Sequence, residues 1–135
     1  MSTKERIVGQ WIAKAESDLR SASVLLRVDE PLLENACTLC QQAAEKYLKA
    51  LLVWQDIEFK RSHSLVYLLG LVKQVADVDP ELFDVADFLT PFAVDLRYPG
   101  EIEVTHQDAT EAFQGSKAIR DFVMCQLKPS YGTEQ

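Results

Sequence analysis

The residues best suited to acid–base chemistry are two histidines and the arginines that stand near them in the sequence. Histidine takes up and releases a proton near neutral pH, and arginine can stabilise the charge that develops on a phosphate during cleavage. Arg97 and His106 lie on the two sides of one irregular segment, and Arg61 precedes His63 by two positions. If the chain cleaves RNA without a metal, we therefore expect Arg97, His106 and His63 to be its catalytic residues.

Each of these residues also has a purely structural interpretation. Arg97 can anchor a turn, and His106 can be an ordinary residue in the first turn of a helix. His63 stands beside Lys60 and Arg61 at the predicted start of a helix, where the N-terminal end attracts anions. There His63 can serve either as a cap or packing residue, or as a contact for a ligand.

A second set of polar residues follows one side of the helix predicted to end near residue 55. Four of them recur three or four positions apart and share one side: Gln42, Glu45, Lys46 and Lys49. The same arc also contains Glu34, Asn35, Thr38 and Gln41. We predict that this side binds a ligand or a partner protein, together with the loop residues Arg61 and Tyr98. The alternative is a solvated face held by neighbouring charges such as Glu45 and Lys49.

The three cysteines do not indicate a disulfide framework or a metal site. Three thiols cannot all pair, so a reducing compartment suits them better. Cys37 and Cys40 form a C-x-x-C pair, but they lie on the apolar side of the same helix without a second pair or a nearby histidine. We predict that both are small core residues and that the protein has no metal and no cofactor. The sequence also lacks a glycine-rich phosphate loop, a His-Glu-x-x-His helix and a nucleophile elbow.

Size and charge limit the classes of function further. A chain of 135 residues is predicted to form one domain, residues 1–128, followed by a loose tail at 129–135. The net charge of −7 argues against sequence-independent nucleic-acid binding. A local basic pocket is the exception, and its candidates are Lys46, Lys49, Lys60, Arg61 and Arg97. No apolar run could span a bilayer and the first residues lack a signal-peptide core, so we predict no membrane association and a cytoplasmic location.

The segments that must position these residues all have helical periodicity, which predicts an all-α fold. Five helices are expected: residues 4–27, 31–55, one capped by Ser62 and reaching Val75, one capped by Asp79 and ending near Pro91, and 105–127. A short turn is predicted at 92–96, and Asp18 is expected to face outward from the first helix. The second helix is mostly apolar, so we place it at the centre of an antiparallel four- or five-helix up-and-down bundle.

Over nearly its whole length the chain resembles the small stand-alone HEPN domain proteins. The resemblance rests on four stretches: WIAKAESDLRSASVLL at 11–26, CQQAAEKYLKALL at 40–52, HSL at 63–65 and LRYP at 96–99. It implies a helical bundle, often a homodimer, and frequently a small nucleotidyltransferase encoded beside it. Many HEPN proteins are ribonucleases of toxin and defence systems, with an arginine four to six residues before a histidine. Here Arg97 and His106 are nine apart, and Arg61 and His63 are two apart.

Two hypotheses of different classes follow, ordered by that departure in spacing. The first is a binding module: a helical dimer that presents the polar side of its second helix and the Arg97 loop to a nucleotide or to a nucleotidyltransferase, in a toxin–antitoxin or defence system. The second is a metal-independent ribonuclease toxin, in which Arg97 binds the phosphate and His106 or His63 transfers the proton.

Overall fold

The computed structural model describes residues 1–93 and 103–127, and their regular structure is entirely helical. Helix α1 spans Thr3–Arg27, α2 Leu33–Trp54, α3 Leu65–Lys73, α4 Pro80–Leu89 and α5 His106–Leu127, with a 3₁₀ turn at Thr90–Ala93 after α4. The prediction of an all-α helical bundle is confirmed. Of the turn predicted at 92–96, residues 94–96 lie outside the described residues, as does the predicted tail at 129–135.

Within the described residues, helix α2 lies at the centre of the bundle and packs against α1, α3, α4 and α5. Its apolar residues line several sides, and many of them are fully buried alanines, leucines and cysteines. Small side chains such as Ala36, Ala43 and Ala44 let neighbouring helices approach closely. Large ones such as Leu48 fill the space between those helices. The central position predicted from the wide apolar side is confirmed.

Side chains that accept hydrogen bonds from free N–H groups begin most of the helices. Asp79 caps α4 ahead of Pro80, and Thr105 with Asp108 forms a reciprocal capping box at α5, with both bonds at 3.0 Å. These two caps were predicted correctly. The cap predicted at Ser62 was wrong, because Ser64 accepts the hydrogen bond from the backbone of α3 while the Ser62 hydroxyl accepts from the Ser64 N–H.

Two other predicted ends differ from the structure. Helix α2 starts at Leu33, two residues after the proline predicted to open it, and Leu32 N–H bonds instead to the Leu25 carbonyl at 3.2 Å. Helix α3 ends at Lys73, so Val75, which was predicted to face the core, lies beyond the helix with 57% of its surface exposed.

The C-terminal end of α2 is closed by a Schellman motif and by a lysine from α1. Asp56 takes a left-handed conformation with φ of 60°, its N–H bonds to the Val53 carbonyl at 3.1 Å, and the Ile57 N–H bonds to the Leu52 carbonyl at 3.0 Å. The Lys4 ammonium donates to the Trp54 carbonyl and to the Asp56 carboxylate, both at 3.0 Å. A cation is favourable at this end of a helix, because the carbonyl groups there carry partial negative charge.

Two helical glycines are expected to respond oppositely to alanine. A Cβ at Gly115 would lie 2.9 Å from Val85 Cγ1, a branched side chain on α4, whereas a Cβ at Gly70 meets nothing within 4 Å. We expect Gly70→Ala to stabilise the protein by up to about 1 kcal/mol through helix propensity. Gly115→Ala should destabilise it by about 1 kcal/mol or more through overpacking between α4 and α5. Urea unfolding followed by circular dichroism measures both, and stabilisation by Gly115→Ala would contradict the close packing described here.

Candidate functional site

On the polar side of α2, three residues spaced one helical turn apart are buried in the bundle. Gln41 is fully buried, and Glu45 and Lys49 are only 8% and 9% exposed. The Lys49 ammonium lies 5.7 Å from the centroid of the Trp11 ring on α1 and 6.0 Å from that of Phe59 in the α2–α3 link. Both rings therefore lie within cation–π distance of the lysine ammonium. The solvated face considered from the sequence is therefore absent at these three positions, although the Glu45–Lys49 ion pair does form.

Glu45 is the centre of a hydrogen-bonded group that also includes Gln41, Lys49 and His63, called here the Glu45 network. The Oε2 atom of Glu45 accepts a hydrogen bond from Lys49 Nζ at 2.7 Å. The Oε1 atom accepts one from His63 Nδ1 at 2.9 Å and one from Gln41 Nε2 at 3.2 Å. Burial alone would raise the pKa of the Glu45 carboxyl, but the hydrogen bonds from Lys49, His63 and Gln41 lower the pKa below its ordinary value. The buried carboxylate is therefore kept ionised.

His63 is the member of the Glu45 network that reaches the surface, with 63% of its side chain exposed. Since an ionised carboxylate can only accept, His63 Nδ1 is the donor to Glu45. The Gln41 amide also donates to the His63 carbonyl at 3.0 Å, so both the ring and the backbone of this residue are held. This arrangement leaves Nε2 as the ring nitrogen for a ligand, in an orientation set by Glu45.

The link that carries His63 is held by α3, and the start of α3 is in turn held by Thr90. The Tyr67 hydroxyl accepts a hydrogen bond from the Lys60 N–H at 2.9 Å. The Thr90 hydroxyl accepts from the Leu65 N–H at 3.1 Å and donates to the Ala86 carbonyl at 2.8 Å. Helix α3 and the 3₁₀ turn at the end of α4 therefore help to fix the position at which His63 meets α2.

The other predicted binding residues of α2 lie in different surroundings. Lys46 forms an ion pair with Asp18 of α1, so the prediction that Asp18 faces outward was wrong: its side chain is only 17% exposed. Gln42 lines a separate groove of about 340 Å³ with Leu25 and Thr38. Since Lys46 and Lys49 each face a carboxylate, these two members of the predicted basic pocket are already neutralised.

The remaining candidates are either exposed or beyond the described residues. Arg61 is exposed in the α2–α3 link. His106 is the exposed first residue of α5, and its carbonyl accepts from the Thr110 hydroxyl at 3.0 Å. Arg97 and Tyr98 lie outside the described residues. Of the nine predicted site residues, the structure therefore brings Glu45, Lys49 and His63 into one group.

Sequence reasoning did not select Gln41, Trp11 or Phe59 as site residues. Gln41 stands one turn before Glu45 and two turns before Lys49, so the spacing that could have identified it is visible in the sequence. Trp11 and Phe59 belong to other elements and carry no such signal. Their contact with Lys49 depends on how the helices pack.

The cysteines of α2 are core residues, as predicted. Cys37 and Cys40 are fully buried, and the Ser116 hydroxyl of α5 donates to the Cys40 carbonyl at 2.7 Å. Burial, followed by the effect of the neighbouring Cys37, raises the pKa of the Cys40 thiol to about 12, so it stays protonated. Within residues 1–93 and 103–127, no cluster of His, Cys, Asp and Glu has the arrangement of a metal site.

The lowered pKa of Glu45 predicts a particular dependence of stability on pH. The folded-state pKa lies below the ordinary 4.5, so the unfolded chain binds more protons as the pH falls below that value. The stabilisation from ionised Glu45 is therefore complete above about pH 4.5 and is lost as the pH falls through the folded-state pKa. We expect the free energy of unfolding to fall more steeply below pH 4.5 in the wild type than in Glu45→Gln. Urea titrations from pH 3 to pH 6 measure this difference, and identical slopes would contradict it.

Comparisons with known proteins agree on one family. The family model of the HEPN domain matches residues 8–127, which is most of the chain. The search of curated proteins found no match to this chain. Across the described residues, no helix combines the length and apolar character needed to cross a membrane.

Three solved structures are similar to this chain over most of its length. An archaeal HEPN homologue is 33% identical, with 90% of this chain and 98% of that chain covered and a TM-score of 0.74. A protein from Thermus thermophilus is 28% identical, with 89% and 98% covered and a TM-score of 0.78. A HEPN domain protein from Thermotoga maritima is 24% identical, with 87% and 97% covered and a TM-score of 0.73, and this likeness shows the fold alone.

Proposed function

Because this chain belongs to the HEPN domain family, we propose that it is a binding module that recognises a nucleotide or a nucleotidyltransferase partner at His63. The observation that carries this proposal is the 2.9 Å contact between His63 Nδ1 and the buried Glu45 carboxylate. That contact fixes an otherwise exposed side chain, and a fixed donor or acceptor loses less entropy when it binds than a mobile one.

The energetics of the Glu45 network support a functional role. The side chains of Glu45 and Lys49 are only 10–11% exposed. An ion pair buried to this extent contributes little net stability, because both charges lose their hydration. An apolar pair would fill the same space as well. What the ion pair supplies here is a charged carboxylate that orients His63.

The surroundings of His63 suit a phosphate group. Lys60 and Arg61 are exposed in the same link, and α3 begins at Leu65 with its N-terminal end close by in sequence. A protonated His63 would donate Nε2–H to a phosphate oxygen while Glu45 balances its charge. In this proposal the other members of the Glu45 network hold His63 in place, and Arg61 contacts the ligand. The partner surface is formed by the remaining candidates: Gln42, Lys46, Arg97 and Tyr98.

Binding can be tested with AMP and ATP as probes, using tryptophan fluorescence or isothermal titration calorimetry on the full chain. We expect His63→Gln to weaken binding about tenfold or more, the usual effect of losing a hydrogen bond to a charged group. His106→Gln is the matched control, because it removes an exposed histidine outside the Glu45 network. Equal affinity in the wild type and in His63→Gln would overturn the proposed nucleotide site.

The partner form of the proposal has its own experiment. A tagged protein is used to capture interacting proteins from native lysate, and mass spectrometry then asks whether a nucleotidyltransferase is among them. We expect the wild type and the His106→Gln control to capture the transferase. Lys46→Glu and His63→Gln should capture much less of it. Recovery without a transferase in repeated experiments would count against a nucleotidyltransferase-associated toxin–antitoxin or defence system.

The proposed module acts as a homodimer in the cytoplasm. A dimer with two-fold symmetry would present two copies of His63. Light scattering at micromolar concentration measures the assembly directly: a mass of twice 15.3 kDa supports the dimer, and a mass of 15.3 kDa contradicts it.

The second candidate function is a metal-independent ribonuclease, and the Glu45–His63 pair is the observation that favours it. A carboxylate that holds Nδ1 of a histidine leaves Nε2 to take the proton of the attacking 2′-hydroxyl. The 2′-oxygen would then attack phosphorus, and the 5′-oxygen would leave with a proton supplied by His106, while Arg97 stabilises the phosphorane charge.

Cleavage of total cellular RNA with EDTA present separates the two candidates. Activity that disappears in His63→Ala, His106→Ala and Arg97→Ala, each purified identically, would establish the nuclease. RNA that stays intact with the wild type, or cleavage that all three variants retain, would eliminate it.

A further inference from the structure

A groove of about 330 Å³ runs between α1, α2 and α5 and shares no residue with the Glu45 network. Three cationic side chains line it: Arg20 from α1, and Lys117 and Arg120 from α5. Glu16 is the carboxylate on its wall. The net charge of the chain is −7, so this groove, lined by three cations and one carboxylate, has the sign opposite to that of the chain as a whole.

Tyr47 of α2 also lines this groove, and its hydroxyl is an unusual polar group. The side chain is fully buried, and the oxygen has no hydrogen-bond partner among the described residues. A buried hydroxyl without a partner costs free energy, and such groups in native proteins call for an explanation. A phenylalanine would fill the same space without that cost, so the hydroxyl points to a bound group.

The electrostatics around this hydroxyl agree with its position beside the groove. Burial raises the pKa of the Tyr47 phenol to about 12, with smaller effects from Glu16 and Arg120, which both line the groove. The phenol is therefore neutral at physiological pH and serves as an O–H donor. Its natural acceptor is an anionic oxygen, which the three cations would attract.

We propose that this groove binds a small organic anion, with a phosphate or carboxylate headgroup held by the Tyr47 hydroxyl, Lys117 and Arg120. The rest of the ligand is apolar, because Leu19 and Phe113 form the other walls of the groove. Lys117 lies 5.2 Å from the centroid of the Phe113 ring, so the cation and the apolar wall are adjacent. Because the Tyr47 hydroxyl is buried, side chains that line the groove must rotate for the headgroup to reach it.

Two charged groups at the groove restrict how the ligand can bind. Arg120 donates to the neighbouring Asp121 at 2.9 Å, an exposed pair that contributes little and can exchange one acceptor for another. Glu16 repels an anion, which limits the headgroup to the side of the groove occupied by α5. A ligand with one charged end and one apolar end meets both conditions.

Isothermal titration calorimetry of the full chain with phenyl phosphate, phenylacetate and inorganic phosphate tests the proposal. We expect phenyl phosphate or phenylacetate to bind more tightly than inorganic phosphate, and the tighter of the two aromatic probes identifies the headgroup. Tyr47→Phe should weaken that probe about tenfold, as expected for losing a hydrogen bond to a charged group. The variant should fold, because it removes a hydroxyl that has no described partner.

Lysine variants provide a matched control for net charge. Lys117→Met should weaken binding of the same probe, whereas Lys73→Met should leave it unchanged. Lys73 on α3 also lies over a phenylalanine ring, 5.6 Å from the Phe83 centroid, but it is not part of the groove. The proposal is overturned if none of the probes binds at millimolar concentration, if Tyr47→Phe binds as tightly as the wild type, or if both lysine variants weaken binding equally.

Discussion

Leu48→Asp is expected to abolish cooperative folding. Leu48 is fully buried in the central helix, among side chains of the helices that surround α2. An aspartate there would bury a charge without a partner and would leave a cavity, and such substitutions cost more than about 4 kcal/mol. That loss approaches the whole stability of a domain of this size. Circular dichroism during heating should show a broad, non-cooperative change.

The matched control for this prediction is Val24→Asp. Val24 lies on α1 with 47% of its surface exposed, so the same chemical change should alter stability by less than about 0.5 kcal/mol. A cooperative transition in Leu48→Asp near the wild-type temperature would show that the core is not centred on α2.

Changing Glu45 to leucine is expected to destabilise the protein by about 3 kcal/mol, because it leaves the Lys49 charge buried without its carboxylate. Lys49→Met should cost a similar amount, since it removes one of the three hydrogen bonds to the buried Glu45 carboxylate. In the double variant no unpaired charge remains and the apolar side chains can pack against Trp11 and Phe59. We expect the stability of the double variant to lie within about 1 kcal/mol of the wild type.

A double-mutant cycle measured by urea unfolding at pH 7 gives the coupling between the two positions. Strong favourable coupling is expected, because each single change exposes the cost of the charge that is left. Additive effects would show that Glu45 and Lys49 act independently. The double variant also separates stability from function: if it folds normally but binds AMP as weakly as His63→Gln, orientation of His63 is the role of the Glu45 network.

The helices could be predicted from the sequence because apolar residues that recur every three or four positions indicate an amphipathic helix. Their ends were harder to place. Ser62 and Ser64 both stand before α3. The choice between them depends on two contacts with other elements: the Thr90 hydroxyl accepts a hydrogen bond from the Leu65 N–H, and the Gln41 amide donates one to the His63 carbonyl. Such contacts join residues that are far apart in the chain, and no local pattern encodes them.

The candidate site was only partly predictable for a related reason. The spacing of Glu45 and Lys49 predicts that they share a side of α2, but it does not say whether water or another helix covers that side. The rings of Trp11 and Phe59 decide this, and they belong to other elements. His63 could be selected for its chemistry, but its contact with Glu45 required the fold.

During synthesis, one face of α2 stays uncovered until α5 is complete. The face of α2 that holds Cys40 is closed by α5, which donates a hydrogen bond from Ser116, 76 positions later in the chain. A ribosome needs about 1–4 s to add the 22 residues of α5, at about 5–20 residues per second. Until then the nascent chain holds a long apolar helix with one side uncovered.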